Sequence, residues 1–317
     1  MPIYSTFDQS TLDREYSPSS CIDDLDVYLD EYARTSKVAK SDALQDSACE
    51  VDLRYGAGAE ETLDLFLPAE SGSAPLQVFI HGGYWQLLSK DESCFAAPMF
   101  RQRGSFFAAV NYTLAPQQNL TGIVEENRRA IAWLYQHAGE WGFDRDRIYL
   151  SGHSAGAHLA IMMLQTDWPQ FGLPRDVIKG VCAVSGLYDL EPVRLSYVNE
   201  VMGMDASEAE RNSPLRHSLV NPCPVILAYG DNETNEFKRQ TDEYQRALQD
   251  ADIPVTLSEI ADRNHFDVIL DLADANSWLS RQVFSQMGIG GLLGMNRPLR
   301  KGSYKSGVGA RPSERYF

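Results

Sequence analysis

Six short apolar runs alternate with helix-patterned segments between residues 76 and 286, and that alternation limits the fold more than any other feature. The runs are "LQVFI", "SFFAAVNY", "RIYLSG", "IKGVCAVSG", "PVILAYG" and "PVTLSEI"; the helical patterns fall near 122–140, 155–165, 234–250 and 266–286. A strand with no polar face is buried on both sides, and strands joined through helices run parallel. The expectation is therefore an α/β chain with a mostly parallel central sheet flanked by helices. Ahead of it, "CEVDLRYG" and "TLDLFLP" alternate apolar and polar residues around a Gly-rich turn, which predicts an antiparallel hairpin at the sheet edge.

Three segments lie outside this pattern and set the domain reading. Residues 1–45 are polar, and Ile22, Leu25, Tyr28, Leu29 and Tyr32 recur at helical spacing within them. Residues 187–220 form an irregular insertion between two strands, long enough to act as a lid. These two segments are expected to build a small cap over an α/β body spanning 46–287. Residues 288–317 are Gly-rich and carry Arg297, Arg300, Lys301, Lys305, Arg311 and Arg315 against one acid, Glu314; they read as a disordered basic tail.

Composition narrows the function classes. The 317 residues carry a formal charge of −16, which disfavours nucleic acid or an anionic membrane as partner. No apolar run approaches ~20 residues, so no membrane span is expected. The start shows neither a basic n-region nor an apolar h-region. Cys21, Cys49, Cys94, Cys182 and Cys223 are odd in number, scattered and free of any C-x-x-C pair. Reduced thiols in a cytoplasmic protein follow, with no zinc site and no disulfide framework.

The chemistry gathers at three places. "GHSAG", residues 152–156, fits G-x-S-x-G: the strand stops at Gly152, a helix starts at Gly156, and the turn between them is so tight that larger flanking side chains clash. It presents Ser154 at the carboxyl edge of the sheet, beside the backbone N–H groups of a helix N-terminus. A serine hydroxyl needs a base. Of His81, His137, His153, His158, His217 and His265, only His217 and His265 follow the elbow and the helix it opens, the order such sites use. His217 falls in the insertion, whereas His265 follows a strand at the edge where ligands bind, and it is the candidate base. For the acid, the loop after "PVILAYG" offers Asp231, Glu233 and Glu236, with Asp189 as an outsider. Glu236 belongs to the next helix; spacing leans to Glu233 and leaves Asp231 open. In "VFIHGGYW", Gly82 and Gly83 let the backbone approach a substrate closely. The amides of Gly83 and Tyr84, with that of Ala155, are the candidate oxyanion donors. His81 reads as a hydrogen bonder that fixes this loop, and Trp85, Tyr188 and Tyr197 as aromatic lining for the leaving group.

The order "HGGYW", "NYTLAP", "GHSAGAHL", "GDNETNEFKRQ", "NHFD" resembles the α/β-hydrolase superfamily on the side of the hormone-sensitive-lipase-like esterases. More closely it resembles the serine-dependent kynurenine formamidases, over roughly residues 10–285, with "DREYSPSS" and "VDLRYGAGAEETLDLFLP" included. The typical esterase has a third glycine where Tyr84 stands. The resemblance implies Ser154 as nucleophile, His265 as base and Glu233 as acid, third after Gly230 where the family's acid falls; Asp231 stays second, and the family's acid is more often aspartate. It implies an α/β-hydrolase fold and cleavage of an aryl formamide such as N-formyl-kynurenine to kynurenine and formate through an acyl-enzyme. Neither cofactor nor metal is called for, the partner is a small acyl substrate, and homodimerisation is left open. A carboxylesterase for short-chain acyl or aryl esters would use the same residues. A non-catalytic binding protein on this fold, recruiting through the basic tail, is the third reading.

Overall fold

In the computed structural model, which describes residues 2–68 and 72–289, the apolar runs line up in one eight-stranded sheet. In chain order the strands are β1 (Cys49–Arg54), β2 (Thr62–Phe66), β3 (Ala74–Ile80), β4 (Phe106–Val110), β5 (Phe143–His153), β6 (Ile178–Val184), β7 (Val225–Asn232) and β8 (Val255–Asn264). They lie in the order β1-β2-β4-β3-β5-β6-β7-β8. The hairpin β1–β2 is antiparallel, β2 also runs against β4, and every other pair is parallel. The chain passes from β3 outward to β4 and then back to β5 on its other flank, so the direction of winding reverses at β3. Loops at such a reversal leave a crevice at the carboxyl edge.

The helices are α1 (Gln9–Glu15), α2 (Asp26–Gln45), α3 (Ala97–Gln102), α4 (Leu120–Trp141), α5 (Ala155–Met162), α6 (Glu191–Leu195), α7 (Asn199–Met202), α8 (Ala206–Arg211), α9 (Asn235–Asp250) and α10 (Trp278–Met287). They divide between the two faces of the sheet. Leu76, Val78 and Ile80 of β3 face a cluster with Ile123 and Ile131 of α4, Leu159 of α5 and Phe237 and Leu248 of α9. Phe79 of the same strand faces the other way, into a cluster with Tyr32 of α2, Phe100 of α3 and Leu279, Val283 and Phe284 of α10. Period-two alternation in a strand buried on both faces produces this division.

Several boundaries differ from the sequence expectation. The N-terminal helix starts at Asp26 and runs to Gln45, because Pro18–Cys21 forms a separate 3₁₀ turn and α1 precedes it. The pattern over 266–286 divides into a 3₁₀ turn, Val268–Ala273, and α10. Ser277 makes the break: its side chain accepts from the Ser280 amide as an N-cap and donates to the Asp271 carbonyl at 2.6 Å. The insertion 187–220 holds α6, α7, α8 and a 3₁₀ turn at Pro214–Arg216. It meets the N-terminal segment where Gln9 Nε2 donates to the Leu195 carbonyl and the Tyr197 amide donates to Asp13, at 3.0 and 2.8 Å. Of the basic tail expected over 288–317, residues 290–317 lie outside the described residues. Among the described residues no helix is long and apolar enough to cross a membrane.

A charged cluster pins α2 to the sheet. Asp64 of β2 is fully buried, 2.5 Å from Lys40 Nζ of α2 and 3.0 Å from Lys90 Nζ. Lys90 also meets Asp52 at 2.8 Å, and the Asp52 amide, at φ 55° in a bulge of β1, donates to Asp64 at 2.9 Å.

Candidate active site

The register of the central strands brings three loops together. Ile80 of β3 pairs with Gly152 of β5, and His153 pairs with Val184 of β6. The chain leaving β3 at His81–Gly83 therefore stands beside the chain leaving β5 at Ser154. Two strands along, Asn232 of β7 pairs with Asn264 of β8, which sets the loop of Glu233 beside His265.

Ser154 has φ 56° and ψ −119°, a strained backbone for any residue with a Cβ. Its neighbours show what enforces the strain. A Cβ on Gly152 would lie 2.2 Å from the Gly156 carbonyl oxygen, and one on Gly156 would lie 2.0 Å from the Ile80 carbonyl oxygen. Only hydrogen fits at either place, so β5 and α5 can meet at this angle. The Ser154 amide donates to the Val184 carbonyl at 2.8 Å, which fixes the elbow to β6.

His265 Nδ1 lies 2.8 Å from Glu233 Oε2, with both side chains almost wholly buried. The other carboxylate oxygen of Glu233 accepts from Ser185 Oγ at 2.6 Å and from the Gly230 amide at 2.7 Å. Three donors on one buried carboxylate fix its orientation. The His265 ring meets the Phe237 ring edge-on, centroids 4.6 Å apart. Its backbone is held from two sides. His153 Nε2 donates to the His265 carbonyl at 2.6 Å, and Tyr32 of α2 donates its hydroxyl to the next carbonyl, Phe266. The residue before the serine thus touches the residue that carries the imidazole. Burial, then the nearby His265, pushes the pKa of His153 well below its ordinary value, so its ring is neutral.

The glycine loop crosses over the serine: a Cβ on Gly82 would be 3.2 Å from Ser154 Cβ. In a trans peptide the N–H points opposite to the C=O. The Gly82 carbonyl accepts from His81 Nδ1 at 2.9 Å, so the Gly83 N–H points away from the His81 ring. The Gly83 carbonyl accepts from the Gln86 and Leu87 amides at 2.9 and 3.0 Å, so the Tyr84 N–H points out of that turn. The Ser154 carbonyl accepts from the His158 amide at 3.1 Å, which turns the Ala155 N–H out of α5 at its N-terminus. His81 holds the loop as a buried neutral ring, its pKa lowered to about 4 by burial and its plane stacked on Tyr112 at 4.1 Å.

Other expected site residues lie elsewhere. Asp231 is exposed, and its carboxylate accepts from the Arg263 amide at 3.2 Å instead of reaching His265. Trp85 does not line a pocket: it is fully buried in the core, its ring at right angles to His158. Tyr188 is likewise a core residue, fully buried and stacked on Tyr244 with centroids 4.3 Å apart. Tyr197 is 40% exposed at the rim, its hydroxyl 3.3 Å from the Tyr16 carbonyl. His217 is an exposed residue donating to the Glu210 carbonyl at 2.9 Å. Ser185, His153, Tyr16 and Tyr32 were not anticipated. Ser185 stands inside the strand motif "AVSG" and His153 inside the elbow motif, so both were in view; the contacts of Tyr16 and Tyr32 at the site are tertiary, and no local pattern marks them.

A mostly parallel eight-stranded sheet, a strained serine at a strand–helix elbow and a buried histidine–glutamate pair at the same edge define an α/β-hydrolase of the esterase type. The BD-FAE family profile matches residues 63–235, more than half of the chain. Kynurenine formamidase of Danio rerio is 39% identical over 245 residues, covering 75% of this chain and 82% of that one. Kynurenine formamidase of Salmo salar is 34% identical over 298 residues, covering 91% of this chain and 99% of that one. The chain belongs to the kynurenine formamidase family. Among solved structures, a chain from a Silicibacter species is 29% identical with TM-score 0.74, covering 84% of this chain and 97% of that one. Esterase B of Lactobacillus rhamnosis, 18% identical with TM-score 0.63 and covering 81% of this chain and 94% of that one, shares the fold.

Proposed function

We propose that the protein hydrolyses aryl formamides, N-formyl-kynurenine foremost, to the free arylamine and formate. Ser154 is the nucleophile, His265 the general base and Glu233 the acid that orients it. With Nδ1–H held by Glu233, the other ring nitrogen of His265 accepts the Ser154 proton as the oxygen attacks the formyl carbon. The amides of Gly83, Tyr84 and Ala155 stabilise the resulting oxyanion; each such donor lowers the barrier by roughly 2.7–4 kcal/mol. His265 then protonates the departing aryl nitrogen as the C–N bond breaks and the formyl-serine forms. Water, deprotonated by His265, attacks that ester; formate leaves, and Ser154 recovers its proton.

The observation that carries this reading is the Glu233–His265 pair at 2.8 Å, on the sheet edge that also presents Ser154. The formamidase relatives support the substrate class. The 4% exposure of Ser154 supports a small acyl group, and formyl is the smallest there is. A cytoplasmic setting accompanies the proposal, supported by five free cysteines, four of them buried.

The test is a side-by-side measurement of kcat/KM for N-formyl-kynurenine, p-nitrophenyl acetate and p-nitrophenyl butyrate. The proposal expects the formamide to exceed both esters by at least about tenfold, a difference of about 1.4 kcal/mol in transition-state binding. Esters turned over faster than the formamide would make the protein a carboxylesterase.

A further inference from the structure

Tyr84 occupies a position whose backbone suits glycine. Its φ is +51°, between Gly83 at +91° and Trp85 at +60°, so three consecutive residues are left-handed. A side chain in that region is strained, and the strain persists only where surrounding contacts hold it. The contact here is specific. The Tyr84 hydroxyl donates to the Tyr16 carbonyl at 2.6 Å. Burial holds the Tyr84 phenol well above its usual pKa, which keeps it a donor.

Tyr16 is a junction between two walls of the site. It is fully buried; its own hydroxyl donates to Glu236 Oε2 at 2.8 Å and accepts from Gln240 Nε2 at 2.7 Å, both on α9. The preceding Glu15 carbonyl accepts from Thr234 Oγ1 at 2.6 Å, one residue after Glu233. Residues 15–16 therefore join the loop that offers the Gly83 and Tyr84 amides to the loop that carries Glu233.

Resting on the serine-hydrolase reading above, we infer that Tyr84 is a positioning residue for oxyanion stabilisation. Its hydroxyl, seated on the Tyr16 carbonyl, fixes the Gly83–Tyr84 peptide against Ser154. The N-terminal segment thereby becomes part of the catalytic frame. A glycine at this position would offer no side chain for such a tie; this chain anchors the peptide through a side chain to a segment outside the sheet.

The experiment compares Tyr84→Phe, Tyr84→Gly and Ser154→Ala in the full-length protein. The readouts are kcat, KM, the pH profile, the melting temperature and the affinity for a boronic acid that forms a tetrahedral adduct with the serine. Tyr84→Phe keeps the ring and loses only the tie. Its kcat is expected to fall about 10–100-fold, the scale of a displaced catalytic group. KM and the pH profile should stay at wild-type values, because the peptide acts on the transition state and His265 and Glu233 are untouched. Boronate affinity should weaken in parallel with kcat. Tyr84→Gly relieves the left-handed strain yet also lacks the tie, so it keeps the test open where the Phe variant folds poorly; its kcat should fall as far. Wild-type kcat in either variant overturns the inference, and so does a loss of kcat that tracks a lower melting temperature with unchanged boronate affinity in the folded fraction. Full activity in Ser154→Ala would instead overturn the hydrolase reading itself.

Discussion

Glu233 and Asp231 stand two residues apart in one loop and have opposite fates, and the cause is strand length. β7 continues past Gly230 to Asn232, which pairs with Asn264 of β8. That extension leaves Asp231 exposed, accepting the Arg263 amide, while Glu233 turns inward to Ser185, Gly230 and His265. Glu233→Ala is expected to lower kcat by about 10³–10⁴, the scale for loss of the orienting acid, whereas Asp231→Ala stays within about twofold. Steady-state kinetics on both variants would check this, and the reverse ranking would contradict it. Spacing in the sequence leaned to the carboxylate that meets His265 but had no means to show where the strand ends. Ser154 and His265 were legible because motif and chain order point at them directly. The aromatic lining was not: Trp85 and Tyr188 look like pocket residues by type, but both rings pack into the core.

At the scale of elements, the central parallel strands were legible because their apolar runs leave no polar face, and the hairpin because it alternates; β8, at the sheet edge, is polar and half-exposed along most of its length. The glycine elbow was legible for a steric reason that the contacts at 2.0 and 2.2 Å make explicit. The short helices of 187–220 and α3 were not, since helices of four to six residues show too little periodicity to mark them. The attachment of α2 to the sheet was also hidden, because it rests on Lys40 and Lys90 meeting Asp64 across the fold. Asp64→Ala would leave two ammonium groups near one another with their buried carboxylate gone. Breaking a buried ion pair in this way costs about 3–5 kcal/mol, to be read from urea unfolding curves. A change below ~1 kcal/mol would show that solvent already screens the cluster.

At the scale of the whole molecule, three buried neutral histidines make stability depend on pH. Burial lowers the pKa of His81 and His158 to about 4, and that of His153 falls well below its ordinary value. In the unfolded chain each titrates near ~6.5. Below that pH the unfolded state binds more protons than the folded one, so stability falls as pH falls. The contribution is complete above about pH 6.5 and is lost on the way down to about 4 for His81 and His158, with His153 acting in the same direction, at up to about 1.4 kcal/mol per pH unit per histidine. Thermal melts from pH 7 to pH 4 should show a steady decline in midpoint, and His158→Gln should make that decline shallower; a flat profile would mean these rings are protonated when folded. The most direct test of the account as a whole is covalent labelling with a phosphonofluoridate, followed by intact-mass and peptide-mass analysis with residual turnover measured on the same sample. One phosphonyl group per chain, mapped to Ser154 and rising as N-formyl-kynurenine turnover falls, is the predicted result. Label on another residue, or turnover surviving full modification of Ser154, would contradict it.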